Sequence, residues 1–294
     1  MSDNVRTYEV IHETEYAYSA PAGNGHHLAH LRPRTTPWQE VLTYALEIEP
    51  EPTEMISRPD YFGNETCAFI IDRPHEMLNV TARSTVKVTD QALPDDISGL
   101  RWETALPSTP VGATGEPLEV TEARLGSSLA PRLPDALGYG RKSFPPGRPW
   151  LEAMLDLTLR IRTEFAYDPE ATSISTPVSE VLAHRRGVCQ DFAHLMLSCL
   201  RSMKLPARYV SGYILNQPPP GKEKLVGADA SHAWLESYMP GLGWVGFDPT
   251  NGKRANLEFI TVGWGRDFAD VTPLRGVVLG SGEHELAVRV SVTT

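Results

Sequence analysis

The sequence predicts an α+β fold: a β-sandwich-like N-terminal domain, a Pro/Gly-rich crossing, then a core of helices and strands. Three observations carry this. Apolar residues alternate with polar ones through the first third of the chain. Helical spacing begins only after Pro149. Strands then return from Arg208, and the final run to the C terminus alternates again. A period of two marks half-buried strands and a period near 3.6 marks amphipathic helices.

Leu42, Tyr44, Leu46 and Ile48 form the first clear strand face. Cys67, Phe69 and Ile71 form a second, and Val80, Ala82, Val86 and Val88 a third. Arg58-Pro-Asp60 and Phe62-Gly-Asn64 supply turn chemistry between them. Residues 1–125 are therefore expected as the β-rich domain. Residues 126–149 carry Gly126, Pro131, Pro134, Gly138, Gly140 and Pro145-Pro-Gly147, which break any period. This is a linker or a long ordered crossing, made semi-rigid by proline.

Residues 150–275 are expected as the second domain. Leu151, Met154, Leu155, Thr158 and Ile161 follow helical spacing. Thr176-Pro177 has the chemistry of an N-cap followed by proline at the first helical position. From Cys189, residues Phe192, Ala193, Met196, Leu200 and Met203 make a stripe that buries one side of a helix, and Leu205-Pro206 ends it. Strands follow at Arg208–Ile214 and on both sides of Met239-Pro-Gly-Leu-Gly243. In residues 276–294, Leu286, Val288, Val290 and Val292 share one face, and this strand can rejoin the first sheet.

The chain has 294 residues, 41% of them hydrophobic, and a formal charge of −10. That length allows about two domains with a real core. The acidic balance disfavours nucleic acid as a partner. No apolar run approaches the ~18–20 residues of a membrane span, and the start lacks a signal-type apolar region. No membrane partner and a cytoplasmic address are the expectation. Cys67, Cys189 and Cys199 are three sparse cysteines without a CxxC pair. This fits a reducing compartment and gives no structural zinc set. No metal and no cofactor are expected, and the oligomeric state is left open.

The chemistry concentrates in three places. Cys189 stands in Gly187-Val-Cys189-Gln-Asp-Phe-Ala-His194, at the step from a glycine into a helix. The positive end of a helix favours a thiolate, which is the nucleophilic form. His232 lies in Ser231-His232-Ala-Trp234, and Asp248 in Gly246-Phe-Asp248-Pro-Thr250. If these two segments form a hairpin, a loop at 239–241 sets His232 opposite Asp248. A loop at 239–243 sets 238 opposite 244 and leaves Asp248 diagonal to His232. Both registers keep the two side chains on one face. An aspartate on one ring nitrogen then fixes the tautomer and leaves the other nitrogen for the thiol.

Each residue alone has a plainer reading. A lone cysteine on an apolar helix is usually a small buried hydrophobe, and Cys199 and Cys67 are taken that way. His194 lies five residues after Cys189, about 140° round the helix, and faces away from the thiol. His184 has no acid obviously placed to orient it. His26, His27 and His30 lack Cys or Asp ligands nearby and read as a loop entering a strand. The order cysteine, histidine, aspartate in three matching contexts is what raises the combination above chance.

Those motifs, with Leu205-Pro-Ala-Arg-Tyr-Val-Ser-Gly212 and Gly243-Trp-Val-Gly-Phe-Asp248-Pro-Thr-Asn251, resemble the bacterial transglutaminase-like cysteine protease family. The resemblance covers nearly the whole chain, with Phe62-Gly-Asn64 as a shared turn of the N-terminal β-domain. It implies a papain-like core and thiol acyl transfer at a protein or peptide amide. By residue match, Cys189 is the nucleophile, His232 the base and acid, and Asp248 the orienter. Hydrolysis by a peptidase or amidase is the leading expectation. A true transglutaminase, or a non-catalytic peptide-binding or assembly module, is the alternative. The Cys189 N–H is one oxyanion donor, and Tyr167 is the candidate for a second. Trp234 either walls the cleft or packs. The loop at 216–228 is expected to gate it. The calcium sites of animal cross-linking members have no acidic-loop counterpart in this sequence.

Overall fold

The computed structural model describes residues 4–107, 116–170, 173–215, 231–280 and 282–294. Six strands come first: β1 (Val5–Ala22), β2 (Asn24–Ala29), β3 (Gln39–Glu49), β4 (Glu54–Pro59), β5 (Glu65–Ile71) and β6 (His75–Thr89). Helices α1 (Leu118–Glu122), α2 (Pro134–Arg141) and α3 (Trp150–Glu164) follow. Then come β7 (Ala166–Tyr167), α4 (Val178–His184), β8 (Arg186–Gly187) and α5 (Cys189–Ser202). The chain continues through β9 (Ala207–Ile214), β10 (Ser231–Met239), β11 (Gly243–Asp248), β12 (Lys253–Arg254) and β13 (Phe259–Gly265), and ends with β14 (Leu274–Leu279) and β15 (His284–Thr293).

Three principal sheets result, in the orders β15-β1-β6-β3, β14-β2-β5-β4 and β12-β11-β10-β9-β13. The first two form the N-terminal sandwich. Phe69 and Ile71 of β5 pack against Leu78, Val80 and Ala82 of β6 in its core. The long strands β1 and β6 also reach past the sandwich. Tyr8, Val10, Val86 and Val88 bury against Tyr213 of β9 and Ile260 and Val262 of β13. One pair of strands therefore belongs to two cores.

The last two strands return to the N-terminal sheets, β15 beside β1 and β14 beside β2. Val290 and Val292 are fully buried there, whereas Leu286 and Val288 are about half exposed. The shared face is real, but only its C-terminal half meets the second core. Leu42 also turns outward, because a register shift between Val41 and Thr43 reverses the parity of β3.

The third sheet carries α5 on one face. Phe192, Leu195, Met196 and Leu200 pack with Tyr209, Ala233, Leu235 and Phe247. The helix was expected to bury one side, but every residue from Asp191 to Arg201 is buried. The sheet covers one side and α2, α3 and α4 cover the others. Polar residues disguised this. Arg201 is fully buried with its guanidinium donating to the carbonyls of Ala207 and Arg266 and to Ser127 Oγ.

The stretch 126–149 is more than a crossing, for α2 lies inside it. Pro134 starts the helix, where its missing N–H costs nothing. A Cβ at Gly140 would sit 3.0 Å from Cys199 Cβ, so the glycine lets α2 approach α5 closely. The strands of the N-terminal region end at Thr89, short of residue 125. Ile97 and Ala105, on short 3₁₀ turns, belong to the α5 cluster. Elements of five residues or fewer hold too few turns for a period to be read. At α4, Pro177 itself occupies the N-cap, so the helix begins at Val178, one residue later than expected.

The sandwich is fastened to the third sheet by side-chain amides. Gln39 Nε2 donates to Thr261 O and its Oε1 accepts from Thr261 N. Asn64 does the same for Trp264 O and N, at 2.8 and 3.0 Å. Two carboxamides thus stand in for a neighbouring strand along β13. Among the described residues, no helix is long and apolar enough to cross a membrane.

Candidate active site

Cys189 is the first residue of α5 and is partly exposed, whereas Cys67 and Cys199 are buried. Three contacts fix the turn before it. Asp168 N–H donates to Gly187 O at 3.0 Å, continuing the parallel pairing of β7 with β8. Phe192 N–H donates to Val188 O at 3.1 Å, opening the helix. Val188 caps the helix in an extended conformation, but its side chain has no acceptor. Asp191 supplies the polar half of the cap, its Oδ2 accepting from Val188 N–H at 2.8 Å. The N–H of Cys189 lies in the first turn, where a helix offers no carbonyl partner.

His232 lies at the start of β10, paired across the ladder with Gly212 of β9. Its Nε2 is 2.8 Å from Asp248 Oδ2, and the Cys189 thiol lies near enough to act on the charge of its ring. His232 therefore stands between sulfur and carboxylate. Burial disfavours its charged form. The hydrogen bond to Asp248 and the charges of Asp248 and Cys189 outweigh burial and push its pKa up to about 9. Asp248 is fully buried. Burial raises its carboxyl pKa, but the hydrogen bond from His232 and those from Asn251 and Thr250 hold it below the usual range. Asn251 Nδ2 donates to Oδ2 at 2.6 Å, and the backbone N–H groups of Thr250 and Asn251 donate to Oδ1 at 2.8 and 3.2 Å.

The hairpin adopts the second of the two expected registers. Tyr238 pairs with Trp244 and Leu235 with Phe247, so His232 and Asp248 are diagonal neighbours on one face. Trp234 and Phe259 pack on the His232 ring, each with centroids 6.1 Å away. Trp234 is buried and walls the histidine from behind. The glycine opposite His232 makes this possible, since a Cβ at Gly212 would lie 2.7 Å from the Trp234 ring and 2.0 Å from Ile260 O.

Tyr167 pairs with Gly187 in the β7–β8 ladder, two residues from the sulfur, and its ring meets Phe192 edge-on at 6.5 Å. It is more than half exposed. Burial raises its hydroxyl pKa first, and the charges of Cys189 and Asp191 raise it further, which keeps it a neutral donor.

The other histidines separate from the site. His194 is buried, accepts from Phe268 N–H at 3.2 Å, and is pushed down to about 4 by burial. His184 is exposed at the end of α4. His26 and His27 lie on strand β2 rather than in a loop, pointing to opposite faces, and His27 stacks on Phe69. No group of three or more potential metal ligands occurs among the described residues. The loop at 216–228 lies outside the described residues. Asp191 and Asn251 lie within the Cys189 and Asp248 motifs, where the order of catalytic residue types assigns them no role. A carboxylate at the third helical position and an amide three residues after an aspartate are both local capping signals.

Residues 8–87 match the bacterial transglutaminase-like N-terminal region, and residues 145–249 match the transglutaminase-like superfamily. A protein of Mycobacterium tuberculosis strain H37Rv is 40% identical over 293 residues, covering 97% of this chain and 91% of its own. The chain belongs to the bacterial transglutaminase-like family. The crystal structure of a candidate cysteine protease from Cytophaga hutchinsonii superposes with a TM-score of 0.76 at 19% identity, over 99% of this chain and 91% of that one. It shares the fold, α+β with an N-terminal β-rich region before the transglutaminase-like core. A protein-glutamine gamma-glutamyltransferase of Pseudomonas aeruginosa is 37% identical over 89 residues, 29% of this chain and 13% of its own length. Membership of this superfamily supports an enzyme with thiol-dependent activity in general.

Proposed function

We propose that the protein is a thiol-dependent acyl-transfer enzyme that hydrolyses a protein or peptide amide through Cys189, His232 and Asp248. The observation that carries the reading is the position of His232, 2.8 Å from Asp248 and near enough to the Cys189 thiol for the two to act on each other's charge. With its pKa pushed up to about 9, His232 holds a proton at neutral pH. A cationic imidazole beside a thiol favours the thiolate. The sulfur attacks the amide carbon, the carbonyl oxygen takes up charge, and the Cys189 N–H with the Tyr167 hydroxyl donates to it. His232 passes its proton to the departing amine as the carbon–nitrogen bond breaks and a thioester remains. Neutral His232 then takes a proton from water, which attacks the thioester. The carboxylic acid leaves and the thiol returns. Asp248 orients the ring and balances its charge throughout.

Transfer of the acyl group to an amine is the second reading. It is supported by the similarity to the Pseudomonas aeruginosa glutamyltransferase over the segment they share. A non-catalytic module would have no use for the proton-holding histidine. The three free thiols support a reducing, cytoplasmic setting.

Thiol labelling tests the proposal. Iodoacetamide is expected to modify Cys189 ahead of Cys67 and Cys199, and His232→Ala to slow that labelling near neutral pH. Equal reactivity of the three cysteines in the folded protein would sink the catalytic reading. Ammonia release without incorporation of a labelled primary amine separates hydrolysis from transfer.

A further inference from the structure

Asp191 is a buried carboxylate in the first turn of α5, two residues from the sulfur. Its geometry gives it a task beside the thiol. Asp191 Oδ2 holds the Val188 N–H at 2.8 Å, on the Gly187–Val188 peptide, one unit before the peptide that carries the Cys189 N–H. The contact also dictates Gly187. A Cβ at that position would lie 2.8 Å from Asp191 Oδ2 and 2.9 Å from its Cβ, so a side chain there would push the carboxylate off the Val188 N–H. Gly187 is in turn pinned from the other side by the β7 ladder. The Gly187–Val188–Cys189 backbone is thereby clamped between β7 and the Asp191 side chain, and the direction of the Cys189 N–H is set by that clamp.

We propose that Asp191 is a positioning residue for acyl transfer: together with Gly187 it aims the Cys189 N–H at the oxygen that becomes negative when the sulfur adds to a carbonyl. This rests on the acyl-transfer reading of the site. It makes a distinction that a purely structural role does not. Acylation by an ester develops charge on a carbonyl oxygen and needs the aimed N–H. Alkylation by iodoacetamide displaces iodide at a saturated carbon and does not.

The experiment compares two rates at Cys189: acylation by p-nitrophenyl acetate and alkylation by iodoacetamide. Wild type, Asp191→Asn, Asp191→Ala, Gly187→Ala and the Gly187→Ala/Asp191→Ala double variant are measured, with circular dichroism to establish that each is folded. Asp191→Ala is expected to lower acylation about 10- to 100-fold, somewhat less than loss of a whole oxyanion donor, while alkylation is not slowed. Asp191→Asn keeps an acceptor for Val188 N–H and loses the charge. It is expected to acylate and to alkylate within about threefold of wild type. Gly187→Ala should reproduce the Asp191→Ala loss, and the double variant should be no worse than either, because the two changes break one contact.

Equal losses in acylation and alkylation for Asp191→Ala would make the residue merely structural and overturn the proposal. Additive losses in the double variant would do the same. If folding fails in Asp191→Ala, the Gly187→Ala and Asp191→Asn ratios decide alone. A wild-type protein that iodoacetamide labels but p-nitrophenyl acetate does not acylate would remove the acyl-transfer reading itself, and the proposal with it. Normal wild-type acylation with unchanged ratios in the variants would remove only the role of Asp191.

Discussion

His232 and Asp248 do not face each other across their hairpin, yet Nε2 and Oδ2 are 2.8 Å apart. Leu235 pairs with Phe247, so one step further along the ladder Asp248 stands opposite Trp234, and His232 is its diagonal neighbour. Diagonal positions on one face lie about 7–8 Å apart at the backbone, a span that an imidazole and a carboxylate close between them. The carboxylate has no freedom to reorient, because Asn251 and two backbone N–H groups hold its oxygens. Asp248→Asn should leave the fold intact and lower turnover by about 10²–10⁴-fold by presenting the wrong hydrogen-bond pattern to His232. Steady-state kinetics with circular dichroism check both halves of that expectation.

On the proposed mechanism, the proton on His232 sets an upper pH limit for the reaction. With its pKa raised to about 9, the leaving amine has a proton donor at neutral pH and loses it as pH rises through 9. The rate of thioester formation from an amide should fall above that value. A pH–rate profile flat to pH 10 would show that another group donates the proton.

Stability should depend on pH from both sides. His12, His27 and His194 are each pushed down to about 4, with burial as the first cause. Their unfolded value is near 6.5, so between 6.5 and 4 the unfolded chain binds more protons and stability falls with falling pH. His232 acts in the opposite sense. Its raised value gives stability that is fully present below 6.5 and is lost as pH rises through about 9. Urea denaturation should therefore find maximal stability near neutrality, with a loss on the order of a few kcal/mol by pH 5.

Tyr167→Phe isolates a single hydroxyl beside the Gly187 turn. If the hydroxyl donates to the oxyanion, acylation by p-nitrophenyl acetate should slow by about 10- to 100-fold with iodoacetamide labelling unchanged. An unchanged acylation rate would return Tyr167 to a packing role against Phe192.

Asn64 ties the sandwich to the core sheet. It bonds Trp264 N and O, and Arg34 Nη1 donates to its Oδ1 at 2.6 Å. Asn64→Ala strands these groups in a buried site and should cost about 2–4 kcal/mol in urea denaturation. The Phe62-Gly-Asn64 turn, legible only as turn chemistry in the sequence, delivers this amide, and Gly63 makes the turn with φ of +72°.

Local pattern revealed much of the molecule. The faces of β5 and β6 were correct residue by residue, because strand parity is a property of the chain itself. The face of β3 was correct at Tyr44, Leu46 and Ile48 but not at Leu42, because β3 carries an extra residue between Val41 and Thr43 that only its pairing with β6 reveals. The helix of Cys189 was legible, but its burial was not. Arg201 looks like a surface residue until the carbonyls of Ala207 and Arg266 are brought to it. Likewise α2 was hidden among prolines and glycines that serve its start and its packing.

The sequence by itself determined the chemistry available: a thiol at a helix start, and a histidine and an aspartate on one face of a hairpin in either register. Those follow from spacing and parity, which need no knowledge of distant contacts. Only the tertiary structure decided that the hairpin lies beside α5, that His232 stands between Cys189 and Asp248, and that Asp191 and Gly187 fix the turn between β8 and α5. These are encounters between segments about 40 to 60 residues apart in one case and an ångström-scale steric match in the other, and such properties arise only when packing sets positions that local periodicity leaves free.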